Sequence, residues 1–213
     1  MEKNLADLRR DYSLQELSKD SVAKDPFVQF ANWFDEYLNA APPEPSAMTI
    51  STISRDNLPS SRVVLLKGFD ERGFVFFTNY ESKKALDIAA NPQVAIHFFW
   101  PELERQVEIN GRAEQTSREE SEAYFVTRPV ASKIGAWASK QSEPLESRSE
   151  LEARVEELRA HFGSDDIPCP PFWGGFRISP SKFEFWQGRR SRLHDRISYE
   201  PYEFGWKIVR LSP

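Results

Sequence analysis

The spacing of apolar and polar residues changes period several times along the chain, and each change marks an element. In "DPFVQFANWFDEYLNAA", Phe27, Phe30, Phe34 and Leu38 recur at helical spacing, which predicts a helix buried through those four and ended by "PPEP". Strand patterns follow. "AMTISTIS" is β-branched, "RDNLP" reads as a turn, "SSRVVLLKGF" as a strand, "DERG" as a turn and "GFVFFTN" as a third strand, which together make a meander. "SKKALDIAANP" predicts a short helix, then "QVAIHFFW" and "ERQVEINGRAEQT" two strands. "SREESEAYFVTRP", a stretch around "ASKIGAW" and "SRSELEARVEELRAHF" predict helices, and "FWGGFRISP", "KFEFWQG", "LHDRISYE" and "GWKIVRLSP" four more strands. Antiparallel strands with helices set between them predict a mainly β, α+β fold: a small β-barrel with helical decoration. Residues 1–25 are polar and are expected to form an arm or a short helix, with 26–213 as one domain.

Bulk composition narrows the class. With 213 residues, 39% hydrophobic and 29% charged, the chain is long enough for a real core, and 16 phenylalanines and six tryptophans argue against disorder. No apolar run approaches the roughly 20 residues that span a bilayer, and the charged N-terminus lacks the apolar region of a secretory signal, so no membrane association is expected. One cysteine, Cys169, excludes an intrachain disulfide and suits a reducing compartment, the cytoplasm. A net charge of −5 argues against a general nucleic-acid binder.

Missing motifs narrow the chemistry. The chain has no phosphate-binding P-loop, no dinucleotide fingerprint and no nucleophile elbow, and its three histidines lack metal-ligand spacing, so no metal is expected. His97 reads as a packed strand residue, and Cys169, between prolines, shows no sign of activation. Any difficult chemistry therefore calls for a cofactor.

Four cationic constellations remain, each open to two readings. Lys83 and Lys84 follow Ser82, a plausible N-cap, so they oppose the helix dipole unless a phosphate sits there; otherwise they are exposed lysines at a frayed end. Alternation in "SRVVLLKG" puts Arg62, Val64 and Leu66 on one face and Val63, Leu65 and Lys67 on the other, to line a flat anion or merely to give a strand charged ends. Tyr124 and Arg128 share a helix face with Ser132 just beyond, which suits a phosphate monoester or a surface Tyr–Arg stack. In "GRRSRLHDR", read as a strand, Arg192, His194 and Arg196 share one face and Leu193 and Asp195 the other, making an anion site or a basic edge.

Taken in order, "SRVVLLKGFDERGFVFFTNYESKKA", "ERQVEINGRAE", "YFVTRP", "IGAWASKQS", "FWGGFRISP", "EFWQG" and "RLHDR…WKIVRLSP" resemble the pyridoxine/pyridoxamine 5′-phosphate oxidase family from about Arg9 to Pro213. The resemblance implies an FMN-binding split β-barrel, antiparallel, working as a homodimer with FMN at the subunit interface. It implies oxidation of pyridoxamine or pyridoxine 5′-phosphate to pyridoxal 5′-phosphate, with O2 reduced to hydrogen peroxide. FMN would be held by Arg62, Val63, Val64, Leu65, Leu66, Lys67, Phe77, Thr78, Lys83, Lys84, Gln106, Gln141, Ser142, Trp186 and Arg196. Lys67, Tyr124, Arg128 and Ser132 would surround the substrate phosphate, with Arg192 and His194 over the reacting end as the catalytic pair. Arg9 and Tyr12 match a closing N-terminal segment. Phe77 stands where the family often has tyrosine, and Lys83 where arginine is frequent; lysine lacks the bidentate fork, so modestly weaker FMN binding is expected. Arg189 and Arg190 gain no role and read as a solvated loop. The competing readings are a related split-barrel flavin oxidase with another substrate, such as a phenazine-pathway intermediate, and a non-catalytic flavin or pyridoxal-phosphate binder.

Overall fold

Asp25 starts the first helix. Its carboxylate accepts the Phe27 N–H at 2.7 Å, Pro26 occupies the first turn, and α1 runs Pro26–Asn39. The computed structural model describes residues 11–163 and 166–213. Residues 11–25 contain no helix or strand. The strands are β1 (Ala47–Ile53), β2 (Pro59–Leu65), β3 (Gly68–Asp70), β4 (Gly73–Asn79), β5 (Gln93–Trp100), β6 (Arg105–Gln115), β7 (Trp173–Gln187), β8 (Asp195–Tyr202) and β9 (Gly205–Leu211). The remaining helices are α2 (Lys83–Ala90), α3 (Arg118–Val126), α4 (Val130–Ala138) and α5 (Arg148–Phe162). Strand order is β2-β1-β5-β6-β7-β4-β3, with β8 on β7 and β9 on β8. The β3–β4, β4–β7, β7–β8 and β8–β9 pairs are antiparallel. This is the mainly β, antiparallel fold with flanking helices that the sequence predicts.

Contacts divide the chain into two compact units. Over the described residues, one comprises 11–48, 96–110 and 180–213, the other 49–95, 111–163 and 166–179. In the first, α1 packs Phe30, Trp33 and Tyr37 inward, all nearly inaccessible. Phe30 meets Phe98 at 5.0 Å, Tyr37 stacks on Trp100 at 5.1 Å, and Trp33 meets Phe185 edge-on at 5.2 Å. The buried stripe is thus rotated from the predicted one: Phe34 is half-buried and Leu38 exposed, because Trp33 and Tyr37 take the inward positions.

In the second unit, β4 is buried along most of its length and pairs with the first half of β7, Phe74 opposite Ile178 and Asn79 opposite Trp173. Gly73 enters β4 at φ 134°, where a Cβ would lie 2.0 Å from the Ile178 carbonyl oxygen. A small cluster of Phe125, Ile134, Ile167 and Trp173 fixes α3 and α4. The charged α5 buries no residue completely; Ser147 caps it by accepting the Glu150 N–H.

Two predicted boundaries differ. "FWGGFRISP" and "KFEFWQG" form one continuous strand, β7; Pro180 falls between the β4 pairing, which ends at Ile178, and the β8 pairing, which starts at Phe183, and is a partner in neither. "GRRSRLHDR" is not a strand until Asp195: Arg190–Arg192 form a short 3₁₀ turn with Ser191 and Arg192 at positive φ.

Candidate functional site

In the second unit, β2, β4, α2, α3 and the start of α4 surround a cavity of about 490 Å³. Its base is aromatic. Phe77, on β4, stacks on Tyr124 at 4.0 Å and 16° and on Trp173 at 5.5 Å and 11°. Trp173, which the sequence reading left without a role, also carries the Arg128 guanidinium 4.6 Å from its ring centroid. Phe77 needs no hydroxyl for this stack.

Arg128 sits just past the end of α3, its N–H bonded to the Phe125 carbonyl, and not within the helix. The cavity still gathers Lys67, Tyr124, Arg128 and Ser132. The Arg128 Nη1 is buried with no hydrogen-bond partner among the described residues. Burial pushes the Arg128 pKa down, with Tyr124 opposing, and pushes the Tyr124 hydroxyl up. A buried guanidinium N–H without an acceptor is costly, and a phosphate oxygen would supply one.

Val63, Val64 and Leu65 line the same cavity with Phe77, Thr78, Lys84 and Gln141. Leu66 is buried and does not line it. Lys84 donates to the Gln141 Oε1 at 2.7 Å, the Thr78 hydroxyl at 3.1 Å and the Ser82 hydroxyl at 3.2 Å. Burial, aided by the Arg62 charge, brings its pKa down to about 8. Ser82 occupies the N-cap position of α2 but caps nothing: its hydroxyl donates to the Asn79 carbonyl. Ser142 follows Gln141 in an exposed turn at φ 77°.

Arg62 and Lys83 do not line this cavity; both turn to Asp87. Lys83 reaches Asp87 at 3.0 Å as an i,i+4 pair and also the Ser60 hydroxyl at 3.0 Å. Burial alone would raise the Asp87 pKa, but hydrogen bonds from Thr52 and Lys83 and the charges of Lys83 and Arg62 hold it below the usual range. The i,i+4 spacing of Lys83 and Asp87 was a readable signal; Thr52 gave none.

The other unit holds the remaining candidates. Trp186 lies 4.5 Å from the His194 ring, and Tyr12 meets Trp186 edge-on at 5.8 Å and His194 at 5.9 Å. The Arg189 N–H donates to His194 Nδ1, so the neutral ring carries its proton on Nε2. Burial and the Arg192 charge both push the His194 pKa down. Arg192 is exposed and lies outside the strand, so it shares no strand face with His194. Leu193, placed on the opposite face from Arg192 and His194 in the strand reading, is 69% exposed. Arg196 is engaged by both carboxylate oxygens of Glu184, at 2.7 and 3.1 Å, and by the Ser212 carbonyl. Gln106 bonds His97, the half-buried strand histidine. Arg189 is not a solvated-loop residue: it pairs with Glu16 at 2.5 Å and Asp195 at 3.2 Å. Arg9 lies outside the described residues.

The arm is tied down by two acids the sequence reading did not single out. Glu104 accepts the N–H groups of Ser13 and Leu14, and Asp195 accepts that of Leu17. Arg105, buried, donates to Gln15, Glu36 and Gln187.

Comparison with known proteins places the architecture first. PhzG from Burkholderia lata 383, solved in complex with tetrahydrophenazine-1-carboxylic acid, superposes with TM-score 0.88 at 30% identity, covering 94% of this chain and 100% of that one. A pyridoxamine 5′-phosphate oxidase-related, FMN-binding protein from Nostoc punctiforme shares the fold alone, at TM-score 0.72 and 16% identity, covering 90% and 100%. The fold is thus that of the split barrels. Sequence then gives the family. The profile described as pyridoxamine 5′-phosphate oxidase matches residues 34–162, and that of the pyridoxine 5′-phosphate oxidase C-terminal dimerisation region matches 173–213. The pyridoxine/pyridoxamine 5′-phosphate oxidase of Bordetella petrii is 57% identical, covering 99% of this chain and 100% of its own. That of Rubrobacter xylanophilus is 56% identical, covering 99% and 97%. The chain belongs to the pyridoxamine 5′-phosphate oxidase family.

Proposed function

We propose that this chain oxidises pyridoxamine and pyridoxine 5′-phosphate to pyridoxal 5′-phosphate, using FMN and O2. The observation that carries the substrate class is the buried, unpartnered Arg128 Nη1 in a cavity that also presents Lys67, Tyr124 and Ser132. One further cation and two hydroxyls around an orphaned guanidinium N–H suit a phosphate monoester, and the aromatic stack of Phe77, Tyr124 and Trp173 suits a flat ring system.

The residues present also fit FMN. Lys84 would serve its phosphate from the cavity wall, with Arg62 and Lys83 held outside the lining on Asp87; Val63, Val64 and Leu65 would run along its body, and Thr78 and Gln141, with Ser142 next in the chain, would supply polar contacts. When bound, FMN would supply the two-electron redox chemistry, with O2 as final acceptor and hydrogen peroxide as its product; the amine substrate would also consume water and release ammonia. The protein's own work is alignment and charge. Arg128 and Lys67 fix the phosphate end. The remaining candidates, Gln106, Trp186, Arg192, His194 and Arg196, lie in the other unit, and of these Arg192 and His194 are assigned to the reacting end. His194, neutral and protonated at Nε2, is a hydrogen-bond donor there, not a cation.

The match of residues 173–213 to a dimerisation region supports a homodimer in which Trp186, Arg192, His194 and Arg196 lie on the dimerising segment. FMN at the subunit interface follows from that reading. Arg9 and Tyr12 would close the arm over the substrate. Among the described residues no helix is long and apolar enough to cross a membrane, and we place the protein in the cytoplasm.

The test is direct. The purified protein should show a flavin spectrum, or acquire one with FMN, and should release hydrogen peroxide and pyridoxal phosphate when given pyridoxamine 5′-phosphate in air. A protein that takes up no FMN refutes the proposal. One that binds FMN but forms no pyridoxal phosphate from either substrate is a different flavoprotein.

A further inference from the structure

We propose that Thr52 and Asp87, neither of which lines the 490 Å³ cavity, are positioning residues that aim the Arg62 guanidinium at the FMN phosphate. This rests on the assignment of Arg62, Lys83 and Lys84 to that phosphate. The inward row of β1 is Met48, Ile50 and Thr52, each at most 1% exposed. A valine would fill the third position without burying a hydroxyl. The hydroxyl is nevertheless fully used. It donates to Asp87 Oδ2 at 2.7 Å and accepts from Arg62 Nη1 at 2.7 Å. A hydroxyl has one proton, so giving it to Asp87 leaves its lone pairs for Arg62.

The direct Arg62–Asp87 approach is 3.8 Å, longer than a hydrogen bond, so the guanidinium's orientation is set through Thr52. Asp87 in turn holds Lys83 from the same helix at 3.0 Å. Two cations, Arg62 and Lys83, therefore share one buried carboxylate, and with Lys84, which rests on neutral oxygens, two positive charges are in excess. A phosphate monoester carries about two negative charges near neutral pH. Asp87 brings the cluster to the charge of its ligand, and Thr52 passes the alignment on without adding charge.

Thr52→Val tests the relay at constant charge and nearly constant shape. FMN affinity, read by quenching of flavin fluorescence, is expected to fall about tenfold, the factor of one hydrogen bond to a charged group. Thr52→Ser, which keeps the hydroxyl, should stay within about twofold of wild type on the same reasoning. In an Arg62→Ala background, Thr52→Val should cost little more, because the group it aims is gone. If Thr52→Val does not fold, Thr52→Ala enters the same cycle. Wild-type affinity in the hydroxyl-less variant, or an undiminished loss in the Arg62→Ala background, overturns the relay. Failure of the wild-type protein to bind FMN instead refutes the assignment beneath it.

Discussion

With Lys84 on the FMN phosphate, as proposed, binding should weaken in alkali. Its ammonium donates to three neutral oxygens, those of Thr78, Ser82 and Gln141, while burial and the nearby Arg62 charge bring its pKa down to about 8. Arg62 stays charged throughout, and Lys83 is engaged by Asp87. The second phosphate ionisation, near pH 6, is complete above about pH 7, so Lys84 is the group that changes. The protonated lysine is the form that binds a dianion, so affinity is present below about pH 8 and lost as pH rises through it. With that midpoint, roughly nine-tenths of the lysine is charged at about pH 7 and one-tenth at about pH 9. The FMN dissociation constant should rise about tenfold across that interval, or ~1.4 kcal/mol. The same depression has the opposite sign for the unliganded fold. The unfolded chain binds more protons between about pH 8 and pH 10, so Lys84's contribution to stability rises with pH in that window. Flavin fluorescence titrations at three pH values measure the affinity. Lys84→Arg, charged throughout, should flatten the profile. A flat wild-type profile, or a Lys84→Arg variant that keeps the slope, refutes the reasoning.

Other residues give equally direct outcomes. Arg192→Ala should cut kcat/KM for pyridoxamine 5′-phosphate about a hundredfold or more while FMN stays bound; full activity in that variant removes Arg192 from the site. Arg128→Met should raise KM strongly but leave the unliganded protein as stable or up to ~1 kcal/mol more stable, because it deletes a buried donor without an acceptor. A lowered melting temperature would show that Arg128 is structural. Gly73→Ala should destabilise by roughly 3 kcal/mol or more, since the new Cβ meets the Ile178 carbonyl oxygen at 2.0 Å and φ is 134°. Denaturant titration reads the loss, and a change under ~1 kcal/mol would contradict the geometry.

The elements were legible where a single period ran long. β4, β5, β6 and α5 fall where apolar spacing and caps put them. Two failures have local causes. The stripe on α1 was read through phenylalanines, yet the larger Trp33 and Tyr37 one position away fill the space against Trp100 and Phe185. The strand reading of "GRRSRLHDR" failed because β7 ends at Gln187 and the chain must turn through positive-φ residues before β8 pairs back. The phosphate cavity was legible because Tyr124, Arg128 and Ser132 are neighbours in sequence and its chemistry lies in residue type. The roles of Arg196 and Arg189 were not. Glu184 takes the first and Glu16 with Asp195 the second, and only the fold brings those acids within reach. Trp173, Thr52 and Glu104 carry no local signal at all.

The docking of the arm has a consequence for how the chain is made. Leu17 is held by Asp195, 178 residues away, and by Arg210, 193 residues away. During synthesis Leu17 therefore leaves the ribosome long before either partner exists. At about 5–20 residues per second, the interval is on the order of ten to forty seconds. Closing so long a loop comes late in folding, after the local meander has paired. A nascent chain halted before β8 should thus leave residues 12–17 open to protease, and release of β8 and β9 should protect them. The seating of Tyr12 beside Trp186 and His194 then reports that the rest of the chain has been made and folded.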